Sequence, residues 1–193
     1  MKMAEQLTDA DFQKDWDSNP FRKPYLEKII LNITIGQGGE ELNKAARVLE
    51  LLTQKKPVKR AAKKSIKEWG VRKGQNIAVM VTLRGEDAKK FLERVLYVTD
   101  NRILRRSFDN YGNFSMGVDE HIKLPNVKYL PELGIFGFNI SCRVVRPGYR
   151  VKTRRKQRAR IAQDHYVSKY ETMYYLKKEF KTEIVDKMEE RYY

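Results

Sequence analysis

At 193 residues the chain is long enough for one hydrophobic core and at most one domain with arms. Forty Lys+Arg against 25 Asp+Glu leave a formal net charge of +15, the balance of a polyanion binder. A 41% hydrophobic content excludes a wholly disordered tail. The lone Cys142 cannot form an intrachain disulfide, and His121 and His165 leave too few ligands for a zinc cage, so neither metal nor cofactor is expected. No apolar run approaches the ~18–20 residues needed to span a bilayer. The first residues lack the apolar core of an export signal, so a soluble intracellular protein without a membrane partner is expected.

The chain starts acidic, with Glu5, Asp9, Asp11, Asp15 and Asp17. Residues 1–18 are therefore expected to form a mobile N-terminal arm. An α+β body follows over 19–146. In KIILNITI (28–35), Ile29, Leu31, Ile33 and Ile35 alternate with Ile30, Asn32 and Thr34, which predicts a half-buried strand. Gly36–Gly39 break it, and Leu42, Ala45, Ala46, Leu49 and Leu52 share one helical face. Pro57 opens a basic strand to about Lys63, and SIKEWGVRKG (65–74) reads as a loop. A strand over 76–84 places Ile77, Val79, Val81 and Leu83 inward. A helix over 86–98 carries the stripe Ala88, Phe91, Leu92, Val95 and Leu96.

Phe114, Met116 and Val118 alternate in a short strand. Phe136, Phe138, Ile140, Cys142 and Val144 alternate in a longer one, which puts the aromatic GIFGFNI segment on the core side. A basic arm is expected over 147–165, too polar and like-charged in RVKTRRKQRARIAQ to pack before it binds. The last segment, 166–193, reads as a helix and tail. Ser168 and Glu171 have capping-box spacing there, and six of the eleven tyrosines lie from Tyr166 onward. The fold class is α+β: a mainly antiparallel sheet with helices on one face, a two-layer sandwich, and its polar face left to a wet partner.

Charge is concentrated in two segments. Residues 55–74 hold nine cations (Lys55, Lys56, Lys59, Arg60, Lys63, Lys64, Lys67, Arg72, Lys73) against one acid, Glu68. Residues 143–160 hold nine more (Arg143, Arg146, Arg150, Lys152, Arg154, Arg155, Lys156, Arg158, Arg160) and no acid. A solvated surface usually alternates signs, so segments this one-sided point to sites. In the first segment, small residues allow close approach to phosphates, and Trp69 offers either a stacking face or an anchor for the loop base. GQGGEE after a strand puts Glu41 where a dinucleotide fingerprint needs glycine, so a turn explains it better. Asp119-Glu120-His121 and Asp164-His165 lack a third partner at a diagnostic spacing. No catalytic constellation is present, and an enzyme is not expected.

LEKIILNITIG (26–36), QKKPVKRAAKKSIKEWGVRKGQ (54–75), VTLRG (81–85), SFDNYGNFSMGVDEHI (107–122) and GIFGFNISCRVVRPGYR (134–150) occur in one order. Together they resemble the large-subunit ribosomal protein L5 family, from about Asn19 to Asp186. The RPG turn, the basic arm and SKYETMYYLKKEF resemble its archaeal and eukaryotic branch, whereas KKSI and its following loop keep a form shared with bacteria. The acidic residues 1–17 have no family role, and RRKQRAR is richer in arginine than the family pattern.

The resemblance implies a non-enzymatic protein of the cytoplasmic ribosome that binds 5S rRNA and helps attach it in the central protuberance. It implies further contacts with P-site tRNA and with neighbouring ribosomal proteins, including a small-subunit head protein. Carried over, the 5S rRNA contacts are Asn19, Arg22 and Lys23, then Asn32 and Thr34 on the sheet, with Lys55, Lys56, Lys59, Arg60, Lys63 and Lys64. The tRNA-facing loop is Ser65, Lys67, Trp69, Gly70, Arg72, Lys73 and Gly74. From charge alone, Arg150, Lys152, Arg154, Arg155, Lys156, Arg158 and Arg160 are expected on large-subunit rRNA. An RNA-processing or RNA-modifying enzyme with a basic groove and a general RNA chaperone are the competing readings.

Overall fold

The computed structural model describes residues 9–36 and 38–187. It is an α+β fold whose five-stranded sheet has the order β2-β3-β1-β6-β5. The strands are β1 (Tyr25–Thr34), β2 (Val58–Ala61), β3 (Asn76–Arg84), β5 (Asn113–Val118) and β6 (Phe138–Val145). Short β4 (Arg102–Leu104) and β7 (Glu183–Val185) pair in parallel as a separate two-stranded sheet. The helices are α1 (Asp9–Ser18), α2 (Glu40–Thr53), α3 (Glu86–Val98), the single turn α4 (Arg150–Thr153) and α5 (Lys169–Phe180).

The chain divides into two compact units. Among the described residues, one comprises 29–98 and 116–141; the other holds 9–28, 99–115 and 142–187.

In the 29–98/116–141 unit, α2 and α3 pack against β3. Their stripes bury Leu42, Ala45, Val48, Leu49 and Leu52 on α2, and Ala88, Phe91, Leu92, Val95 and Leu96 on α3. Val48, not Ala46, completes the first stripe. Ile29, Leu31, Ile33, Val79, Val81 and Leu83 supply the strand side, while Ile35 and Ile77 are only half-buried. Phe138 meets Phe91 edge-on with ring centroids 6.4 Å apart, so the start of the late strand packs on the helix-covered face. Phe138 and Ile140 are buried as expected, but Phe136 is half-buried. Gly85, at φ +63°, supplies the left-handed turn between β3 and α3. Glu86 and Asp87 in the first turn of α3 suit its positive end.

In the other unit, residues 9–18 are not the loose arm expected. They form α1, which buries Phe12 and Trp16, four residues apart on one face. Trp16 lies 5.0 Å from Tyr174 and 6.5 Å from Tyr175 between ring centroids. Two tyrosines of the C-terminal segment therefore dock α5 against α1. Ser168 caps α5 by accepting the Glu171 N–H at 3.2 Å. After the RPG turn the chain makes α4 and then runs exposed, without regular structure, over 154–160. Residues 1–8 and 188–193, with Tyr192 and Tyr193, lie outside the described residues.

Candidate nucleic-acid interface

β2 is an edge strand with all four residues exposed, paired antiparallel to β3 through Val58–Met80, Lys59–Val79 and Arg60–Ala78. The register sorts its cations. Lys59 stands opposite fully buried Val79, on the helix-covered face, and its Nζ donates to Asn43 Oδ1 on α2 at 2.7 Å. Arg60 stands opposite Ala78, on the open face, against the Met80 sulfur. The ladder slips between Arg60 and Ala61, and the strand ends there.

Asn32 and Thr34 alternate with buried Leu31 and Ile33, so they face away from the helices, and the Asn32 amide donates to Thr34 Oγ1 at 3.0 Å. Lys55 Nζ pairs with Asp87 at 2.5 Å, which holds the Asp87 carboxyl below the usual range and occupies one expected RNA contact. Lys56, Lys63 and Lys64 are exposed.

The 65–74 segment is a hairpin rather than a slack loop. Ile66 and Val71 exchange backbone hydrogen bonds of 2.8 and 3.1 Å, and Lys67–Trp69 make one 3₁₀ turn between them. Gly70 closes that turn at φ +64°. The Lys73 N–H donates to Ser65 Oγ at 2.9 Å, and the Gly74 N–H to the Ala62 carbonyl at 2.9 Å. Trp69 is 71% exposed while Val71 is 7% exposed. Val71 anchors the hairpin, and the indole projects with Lys67, Arg72 and Lys73.

Two family models tile this chain: "Ribosomal protein L5" over residues 19–72, and the C-terminal region of the same ribosomal family over residues 76–170. The chain belongs to the ribosomal protein L5 family. It is 49% identical over 172 residues to "Large ribosomal subunit protein uL5" of Aeropyrum pernix, covering 89% of this chain and 90% of that one. The protein of the same name from Sulfurisphaera tokodaii is 49% identical over 87% of this chain and 96% of its own length. That of Nitrosopumilus maritimus is 46% identical over 84% and 94%.

The remaining L5-type contacts expected from sequence lie in the unit of residues 9–28, 99–115 and 142–187. Asn19, Arg22 and Lys23 fall on one turn, but each has an intramolecular partner. Asn19 Oδ1 accepts the Phe21 N–H at 2.9 Å, and its carbonyl accepts the Arg22 N–H at 2.9 Å. Arg22 pairs with Asp15 at 2.6 Å and Lys23 with Glu179 at 3.5 Å. Both ion pairs are exposed, of the kind worth ~0–1 kcal/mol, so phosphate can displace them at little cost.

In the arm, Arg154 Nε donates to the Gln157 carbonyl at 2.7 Å, and Lys152 Nζ sits 5.3 Å from the Tyr166 ring centroid. Arg150, Arg155, Lys156, Arg158 and Arg160 are exposed. Arg146 is different: it is buried against Glu171 and serves the fold. Tyr111 was not among the residues expected from sequence, and it is exposed. It sits in the turn-forming run Asp109-Asn110-Tyr111-Gly112-Asn113, an aromatic where a turn needs none.

Proposed function

We propose that this L5-family chain is a structural component of the large ribosomal subunit, in the cytoplasm, that binds 5S rRNA and attaches it in the central protuberance. In this reading the 5S rRNA meets the turn at Asn19, Arg22 and Lys23, the open sheet face at Asn32 and Thr34, and the basic edge at Lys56, Arg60, Lys63 and Lys64. Lys55 and Lys59 join after exchanging their present partners. The hairpin 65–74 reaches P-site tRNA, and the arm 150–160 lies on large-subunit rRNA. Neighbouring ribosomal proteins, including one of the small-subunit head, complete the contacts.

The observation that carries this reading is an exposed cationic edge strand beside a polar sheet face whose other side is sealed by helices. Phosphate contacts supply affinity there, and RNA shape supplies most of the specificity. Catalysis has no support from the family.

The test is binding of the chain to 5S rRNA, a size-matched RNA duplex and tRNA, each titrated across salt. If about six cations touch phosphate, affinity falls on the order of a thousandfold between 50 and 200 mM salt. Preference for 5S rRNA at 200 mM supports the proposal. Lys63→Glu with Lys64→Glu should weaken that binding and lower the salt slope by about 2. Equal affinity for all three RNAs would indicate a general RNA chaperone, and wild-type affinity in the double variant would remove the edge from the interface.

A further inference from the structure

A second aromatic surface lies in the unit of residues 9–28, 99–115 and 142–187, on a turn with no role in the contacts above. Tyr111 is 63% exposed, yet its backbone is fixed on both sides. Asp109 Oδ1 accepts the N–H groups of Tyr111 at 2.8 Å and Asn113 at 2.7 Å. Asp109 Oδ2 accepts the Asn113 side-chain amide, and the Asp109 N–H returns to the Asn113 carbonyl at 2.9 Å. Gly112 follows at φ +80°, and its carbonyl accepts the Val144 N–H at 2.8 Å.

The ring itself is braced. Tyr111 meets Tyr166 edge-on at 5.9 Å, and Tyr166 meets buried Tyr149 edge-on at 5.7 Å. Lys152 lies over the Tyr166 ring, and Arg143 lies 5.8 Å from the Tyr149 centroid.

These tyrosines line a cleft of about 2320 Å³, with nine Lys or Arg side chains against four carboxylates. It exceeds the ~300–1,000 Å³ of a small-molecule site, and its size suits a strand of polymer. Of its cations, Arg146 and Arg22 are held by Glu171 and Asp15, whereas Arg158 and Arg160 are exposed on the arm. A rigid, solvent-facing ring beside a cationic wall is the arrangement that takes an unpaired nucleotide: the base stacks on the ring and cations hold its flanking phosphates.

We propose that Tyr111 is a stacking platform for an unpaired base of ribosomal RNA, with Arg158 and Arg160 among the cations that neutralise the adjoining phosphates. This rests on the reading of the chain as an rRNA-binding protein and adds a site to it. Duplex RNA keeps its bases stacked internally, so the platform discriminates against it.

The test uses the full chain. Wild type, Tyr111→Ala and Tyr111→Phe are titrated at several salt concentrations from about 50 to 200 mM with a short oligouridylate and with a duplex of the same length. In parallel, 5-iodouridine is placed in the oligouridylate, in 5S rRNA and in large-subunit rRNA transcripts, and photo-crosslinked residues are mapped by mass spectrometry. Tyr111→Ala should lose about tenfold in affinity for the oligouridylate, with an unchanged salt slope, and Tyr111→Phe should keep it. A crosslink at Tyr111 from one of the two rRNAs identifies the source of the base.

Wild-type affinity in Tyr111→Ala, an equal loss on the duplex, or no crosslink at Tyr111 from either rRNA overturns the platform. Crosslinking is read on the wild-type chain, so a folding defect in a variant does not blur the result. A wild type without preference for 5S rRNA, but with an intact Tyr111 effect, would sink the 5S assignment alone. Retained 5S preference with an indifferent Tyr111 would sink the platform alone.

Discussion

Arg146 and Glu171 form a buried bidentate ion pair, with Nη2 reaching both carboxylate oxygens at 2.8 Å. Their side chains are only 8% and 2% exposed. The same Glu171 Oε1 accepts the indole N–H of Trp16 at 3.1 Å, and Arg146 Nη1 donates to the Asp164 carbonyl at 3.0 Å. One carboxylate thus ties together the N-terminal helix, the end of β6 and the start of α5.

Truncating either partner leaves the other charge buried without its close counter-ion, since Asp15 stands 3.9 Å from Arg146. Arg146→Ala or Glu171→Ala should therefore cost about 3–5 kcal/mol. Replacing both, as Arg146→Met with Glu171→Leu, should cost less than either single change, because the desolvation penalty disappears with the pair. Denaturant midpoints of the four proteins check this. A double variant as weak as the sum of the singles would mean that the pair is not coupled.

Gly112 should be intolerant of any side chain. Its φ is +80°, and a Cβ would stand 2.5 Å from the Val144 carbonyl oxygen and 3.0 Å from Val167 Cβ. Both obstacles are close to the backbone and cannot swing aside, so Gly112→Ala should cost about 3 kcal/mol or more. Gly70 is the control: its φ is +64°, with nothing within 4 Å of the added carbon. Gly70→Ala should cost about 1 kcal/mol. Thermal unfolding of the two variants separates them, and equal losses would contradict the packing around the Tyr111 turn.

Periodicity exposed those parts of the fold in which one face repeats over two or more turns or pleats. The helix over 86–98 matches α3 at both ends, and the alternation in 28–35 and 76–84 marks β1 and β3. Elements whose stability comes from distant partners left no such trace. β4 and β7 are three residues each, and their paired residues Arg102 and Glu183 are 81 positions apart. In α1, Phe12 and Trp16 are the only large apolar anchors amid acids, and charge masked them.

Glu171 illustrates how a correct local reading can hide a longer-range one. Its backbone N–H is capped by Ser168, but its carboxylate turns away to Arg146. In the site, composition located the basic segments, while only the β2 register shows Lys59 on the helix side and Arg60 on the open side. The partners of Lys55, Arg22 and Lys23 were likewise invisible, because those carboxylates are brought in by tertiary folding.

His121 should make stability depend on pH. It is 4% exposed, and its Nδ1 accepts the Phe136 N–H at 3.2 Å. Burial holds its pKa below the ordinary 6.5. The unfolded chain therefore binds a proton more readily than the folded one in this range. The contribution to stability is fully present above about pH 6.5 and is lost as pH falls through the lower folded-state value. Unfolding free energies between pH 7.5 and 5.5 should decline for wild type and stay flatter for His121→Gln. Parallel curves would show that the imidazole is not the group responsible.

The hairpin 65–74 offers a functional prediction that can be separated from folding. Deleting residues 68–73 would remove buried Val71 and the Lys73 N–H that bonds Ser65, so it would damage the base as well as the tip. Trp69→Ala with Arg72→Ala changes only exposed side chains and leaves the Ile66–Val71 bridge in place. The paired variant should keep wild-type stability within about 0.5 kcal/mol. It should also keep its affinity for 5S rRNA, because the edge strand and the open sheet face are untouched. Ribosomes carrying it should release P-site tRNA faster than wild-type ribosomes, since a projecting indole and guanidinium would supply stacking and phosphate contact. Dissociation rates of labelled tRNA from reconstituted ribosomes check this. Unchanged release would remove the hairpin from the tRNA contact, and lost 5S rRNA binding would move these residues into the 5S interface.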